Sequence, residues 1–265
     1  MLRTLILVIL ALSSYSANCQ ILNLEKKKIE KKDTTNYFLA NTNATMTINN
    51  VSAGIDDPIH IMGFGIGASV GYVGKKHFYR LINRMDYLNV NEDIITNTGY
   101  SHFRISFNHN QTFHPEVFGQ YQFDNIRGLH PRLLAGAGLR YRFFQTEKLT
   151  LIVSPGAMYE YEKWAQPYIE GVFVEMNLIK STNYLNARWK VNSHIDLNGI
   201  AYFQTGYDRS ISGFRHRISG EANLLVKVSK KLNLTTTFIG SYESKPIVPI
   251  VPFIFSLTNG LQFSL

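Results

Sequence analysis

Residues 214–229 alternate so regularly that only one backbone conformation can give them two distinct faces. The even positions are Phe214, His216, Ile218, Gly220, Ala222, Leu224, Val226 and Val228, almost wholly apolar. The odd positions are Arg215, Arg217, Ser219, Glu221, Asn223, Leu225, Lys227 and Ser229, largely charged or polar. A period of two belongs to an extended strand. At about sixteen residues the run far exceeds the roughly five or six of an ordinary strand. Arginines on one side and aliphatic side chains on the other predict a lipid-facing wall around a wet interior.

The pattern recurs along the chain and predicts twelve strands, at 37–50, 59–73, 77–88, 98–109, 115–123, 132–144, 149–162, 183–195, 196–207, 214–229, 232–242 and 253–265. An even number suits a single-chain outer-membrane barrel. Short turns are predicted around 75–76, 146–147, 194–196 and 230–231, and longer connections at 89–97, 164–182 and 244–252. With both termini on the periplasmic side, every short turn falls inside and every long connection outside, the habit of membrane barrels. Tyr72, Tyr141, Phe143, Tyr159, Tyr161, Tyr207 and Tyr242 gather near strand ends, where rings at headgroup level form an aromatic girdle. The expected fold is therefore an all-β, twelve-stranded antiparallel up-and-down transmembrane β-barrel over residues 37–265.

The first residues read differently. Arg3 precedes an apolar run at 5–12, then small residues lead to Cys19 and Gln20. This is the pattern of a secretory signal over residues 1–19, with cleavage between Cys19 and Gln20. The competing reading is a lipoprotein signal acylated at Cys19, which Asn18 disfavours. Residues 20–36 are lysine-rich and polar and are expected to form a periplasmic tail. Cys19 is the only cysteine, so a chain cleaved after it has no disulfide, iron–sulfur cluster or cysteine nucleophile. No later run is apolar over eighteen residues, so no transmembrane helix is expected.

The formal charge of +8 on 265 residues raises the question of nucleic acid. Most basic residues alternate with apolar ones along strands, which prevents a single exterior basic stripe. No nucleic-acid partner is expected.

One stretch carries a family resemblance. The run PEVFGQYQFDNIRGLHPRLLAGAGLRYRF, at 115–143, resembles the core of the salt-induced outer-membrane protein family, a domain of unknown function. The later KLNLTTTFIGSYES strand, followed by a closing strand, is also similar to that family. The resemblance implies a barrel in the outer membrane of a Gram-negative-type cell. It supplies no catalytic residues.

Spacing decides the remaining candidates. Gly63, Gly65, Gly67 and Gly71 lack the G-x-G-x-x-G spacing and precede no helix, so they suit a strand face needing small side chains. Outer-membrane lipid hydrolases place His and Ser two apart on one strand, and no His-x-Ser occurs. His216 and Ser219 face opposite ways. His102 and Ser106 share a face but lie roughly 13 Å apart along a strand, too far for proton transfer. The eight histidines lack metal-site spacing. No catalytic residue, metal or cofactor is assigned.

The informative set is charge facing inward: Arg80, Arg84, Arg104, Arg140, Arg142, Arg188, Lys190, Arg215, Arg217 and Lys227, with Asp86, Glu116, Glu160, Glu162 and Glu221. Such charges facing lipid would be prohibitive, so a wet or paired interior is required. Interlocked ion pairs would plug the barrel, whereas surplus cations would leave a narrow passage leaning towards anions. The expected function is an outer-membrane barrel of envelope-structural or stress-adaptation type. A lipid-modifying enzyme and a binding module using the 164–182 and 244–252 connections are the alternatives. The expected partners are outer-membrane lipid and lipopolysaccharide. The insertion machinery is another, reading the alternating C-terminus Leu261, Phe263 and Leu265. The chain is expected to act as a monomer.

Overall fold

A computed structural model describes residues 36–51, 59–229 and 232–263. The predicted signal, nearly all of the tail and Leu265 lie outside the described residues. The described chain is one antiparallel sheet whose strands neighbour one another in sequence order. The strands are β1 (Tyr37–Val51), β2 (Ile59–Val73), β3 (Phe78–Val90), β4 (Asp93–Ser106), β5 (Phe113–Asp124), β6 (Leu129–Gln145), β7 (Leu149–Ala165), β8 (Phe173–Lys190), β9 (Ile195–Asp208), β10 (Gly213–Lys227), β11 (Leu232–Glu243) and β12 (Phe253–Phe263). Among the described residues a single short 3₁₀ turn, Arg209–Ile211, interrupts the strand pattern. The twelve expected strands are all present, and β1 and β12 stand at the two ends of the sheet order.

The faces follow the alternation. On β10, Phe214, His216 and Ile218 are exposed while Arg215 and Arg217 are buried. On β2, Phe64, Ile66 and Val70 are exposed, against the buried Gly63, Gly65, Gly67 and Gly71. This inverts the ordinary globular arrangement, in which apolar side chains lie inside. The sheet curls so strongly that side chains of β10 touch those of β7, three strands away in the order. Arg84 on β3 lies within electrostatic reach of Glu221 on β10. The charged face is thus concave and the apolar face convex.

Two connections differ from expectation. Residues 89–97 form no long loop: β3 and β4 continue to a two-residue turn at Asn91 and Glu92, whose φ values are 48° and 72°. Two consecutive left-handed residues make the tight hairpin turn that matches strand twist. A register shift at Leu88/Asn89 hides the alternation there by moving side chains to the other face. The 164–182 connection contracts to residues 166–172, because β7 runs to Ala165 and β8 already starts at Phe173. In this stretch the pattern reverses: Met176 and Leu178 are buried while Glu175 and Asn177 are exposed. Val174, on the same face, packs on an apolar cluster, so the sequence here no longer reads as apolar-out.

That cluster closes one end of the concave side. Val248, from the 244–252 connection, is buried at 2% against Leu129 and Trp164, with Val174, Ile247 and Ile250 around them. The loop is tied down where Ser244 N donates to His216 O at 2.9 Å and Glu243 N to Pro252 O at 2.8 Å. Arg215, held by Asp208 at 2.6 Å, donates to the Lys245 carbonyl. The short Asn91–Glu92 turn lies at the same end as this loop and 166–172, so turn length does not separate the two ends as cleanly as expected.

Aromatic rings collect on the convex face near both ends. Phe113 and Tyr141 meet edge-on at 6.3 Å near one end, with Phe143 beside Tyr141 at 6.4 Å. Tyr207 and Phe214 pair at 5.4 Å near the other, where Phe214 also stacks on His216 at 6.3 Å.

Candidate functional site

The concave face carries two tiers of charge. β7 builds the first, because its period of two sends Glu160 and Glu162 to the same side. Both are fully buried. From β10, Arg217 reaches Glu160 and Glu162 at 2.8 Å each, and Glu243 of β11 at 2.7 Å. From β6, Arg132 donates to Glu160 at 2.7 Å and lies 3.1 Å from Glu162. Lys180 of β8, 1% exposed, also pairs with Glu160. Trp164 Nε1 donates to Glu162 at 3.1 Å. Three carboxylates thus meet three cations in a tier that spans the interior from β6 to β11. Such a network avoids the cost of an unpaired buried charge.

The second tier lies nearer the opposite end. Glu116 on β5, 1% exposed, accepts from Ser154 Oγ at 3.0 Å. Arg104 and Arg140 stand 3.6 and 3.9 Å from its other oxygen. Arg140 donates to the Tyr184 hydroxyl at 3.0 Å. The Arg104 guanidinium lies over the rings of Phe118 and Tyr184, at 5.6 and 5.4 Å, and hydrogen-bonds the Tyr202 hydroxyl. Arg80 is the direct cross-strand partner of Arg104, and both are buried.

The predicted charges distribute around these tiers. Arg104, Arg140, Arg217, Glu116, Glu160 and Glu162 belong to them. Arg84 pairs with Asp86 at 2.6 Å, half-buried, with Glu221 nearby. Arg215 holds Asp208 at the end closed by the loop. Arg188 is buried near the other end. Lys190 and Lys227 are exposed at strand ends, where Lys227 lies 3.4 Å from Asp196. Arg142 sits beside a register shift and donates to Gln145 at 3.1 Å.

Sequence reasoning missed Arg132, Lys180 and Glu243. Parity was the available signal: Arg132 falls in step with Arg140, Lys180 with Arg188, and Glu243 with Thr237. Each lay at or beyond the boundary assigned to its strand. His102 and Ser106 do share the buried face. His102 Nδ1 lies 3.0 Å from Gln120 Oε1, with the ring stacked on Phe118 at 6.1 Å, an arrangement that orients no nucleophile.

Between the tiers lies a cavity of about 330 Å³, bordered by residues of strands from β3 to β11 and roofed by Pro252. Among known proteins, residues 62–247 match the family described as protein of unknown function, DUF481. No curated protein matches the chain.

Proposed function

We propose that this chain, which belongs to the DUF481 family, is an outer-membrane β-barrel of envelope-structural or stress-adaptation type. In this reading β1 closes on β12, and the ion-paired tiers bridge the lumen, leaving no open passage. The resemblance of residues 115–143 to the salt-induced outer-membrane family supports the stress-adaptation part.

One observation carries the reading: the face bearing Arg217, Glu160 and Glu116 is concave and buried, while Phe64, Ile66, Phe203, Ile218 and Phe238 stand exposed on the convex face. A soluble monomer rarely exposes apolar patches beyond a few hundred Å². Hydrocarbon outside removes that cost, and closure removes the sheet edges that lipid cannot satisfy. The surplus of arginine around Glu116 gives any residual leak a preference for anions.

The test uses purified full-length chain in mild detergent. A closed barrel resists SDS until heated, so unheated and boiled samples should migrate differently. In planar bilayers the wild-type chain should show no stepwise current. Identical mobility with and without heating would sink the barrel. Steady wild-type channels would sink the bridged lumen.

A further inference from the structure

A ladder of hydroxyls crosses the concave face between the two tiers. Ser241 of β11 pairs with Ser219 of β10, Ser219 with Tyr202 of β9, Tyr202 with Tyr184 of β8, and Tyr184 with Ser154 of β7. Directly opposed residues on neighbouring strands share a face. The ladder begins one inward-facing row from the Arg217–Glu243 pair and ends at Ser154 beside Glu116. All five residues border the cavity of about 330 Å³. That volume falls at the small end of ligand sites, which run from roughly 300 to 1,000 Å³. The two tyrosine rings stand 5.4 Å apart, and Met158 and Ile200 add apolar wall.

The two ends of the ladder differ. Ser154 donates to Glu116, Tyr184 accepts from Arg140, and Tyr202 bonds Arg104, so this end is spent on the second tier. Ser219 and Ser241 are half-buried, and their hydroxyls bond no protein group among the described residues. On the β5 side, Gln122 accepts from Gln120 and Arg132 through its one side-chain oxygen, which leaves its NH₂ to donate. The charges around the cavity answer one another. Glu116 lies against Arg104 and Arg140, and Arg217 holds Glu162 and Glu243. What is left unspent is therefore uncharged: two hydroxyls that both donate and accept, and one amide donor. A bare ion gains no counter-charge there. A neutral solute rich in O–H groups finds donors and acceptors together, and its C–H surface meets tyrosine rings that are apolar in body and polar at the tip.

We infer that the cavity is a binding chamber for a small uncharged polyhydroxylated solute, a polyol or a single sugar ring, held by Ser219 and Ser241 with Gln122 as a further donor. The inference rests on the curled sheet and not on its insertion in a membrane.

The test uses the W189F variant of the full chain. The protein has two tryptophans. Trp189 stands on the convex face at 45% exposure, so its removal leaves Trp164, which borders the cavity, as sole reporter. Its fluorescence is titrated with glycerol and, separately, D-glucose, each against glycine betaine at equal osmolality, which has no hydroxyl. A saturable change with glycerol or glucose and none with betaine is expected, and the tighter of the two assigns polyol or sugar ring. Adding S219A and S241A together should weaken it about tenfold or more, whereas S193A in an exposed turn leaves it unchanged. S219F fills the chamber and should abolish the response, which keeps the test decisive if the double variant does not fold. No saturation with either solute, an equal response to betaine, or a double-variant or S219F titration like the parent's overturns the chamber. A heat-dependent gel shift that persists beside a silent titration would leave the barrel standing and remove this inference alone.

Discussion

Arg217 is the residue on which the first tier turns, since its guanidinium serves Glu160, Glu162 and Glu243 together. Replacing it with alanine strands buried carboxylates, and breaking a buried network costs about 3–5 kcal/mol. Arg217→Ala should lower the free energy of unfolding, measured in urea, by that much, and Arg217→Lys should recover only part, since an ammonium cannot form the same fork. A loss below about 1 kcal/mol would mean that water already reaches the carboxylates. The Lys163–Glu175 pair is the control. At 3.6 Å and with side chains 34% and 52% exposed, its removal should change stability by no more than about 1 kcal/mol. Gly156 shows how tightly the strands approach. A Cβ there would stand 2.5 Å from the Ala137 carbonyl oxygen, a backbone atom that cannot swing aside.

Two connecting elements make separate predictions. The β3–β4 turn holds Glu92 at φ 72°, a conformation that costs a non-glycine residue energy. Glu92→Gly completes an Asn-Gly turn and should raise stability by about 0.4–1 kcal/mol, read as a higher unfolding midpoint. An unchanged or lower midpoint would contradict the turn. The 244–252 loop is anchored by Val248 in the Leu129–Trp164 cluster. Val248→Ser removes roughly 1.5–3 kcal/mol of apolar burial. Amide hydrogen exchange at Ser244 and Ile250, bonded at 2.9 and 2.7 Å, should then quicken about tenfold or more, while β7 stays protected. Uniform acceleration along the chain would show that the loop does not open by itself.

For the molecule as a whole, the decisive question is what the convex face touches. Ile66 lies on that face at 54% exposure. If the face meets hydrocarbon, Ile66→Lys should cost about 2–4 kcal/mol in vesicle-inserted protein, and the same change near a strand end roughly 0–1. If the face meets water, the lysine is neutral or improves solubility, and the membrane reading fails. The depth dependence separates the two environments more sharply than any single value, because water imposes no gradient along a strand.

The sequence alone determined which residues face which way along most strands. Alternation is enforced by the backbone pleat, so Arg215 and Arg217 opposite Phe214 and Ile218 needed no tertiary information. Legibility failed where a bulge shifted the register, at Leu88/Asn89, and where strands passed beyond the apolar belt, as at Met176 and Leu178. Lys180 was lost to the site for the second reason. Only the tertiary structure decided which charges meet, because Arg217 and Glu160 lie 57 positions apart and period-two patterning carries no partner information. Curvature brings β10 over β7 and makes Arg217 the hub of a tier.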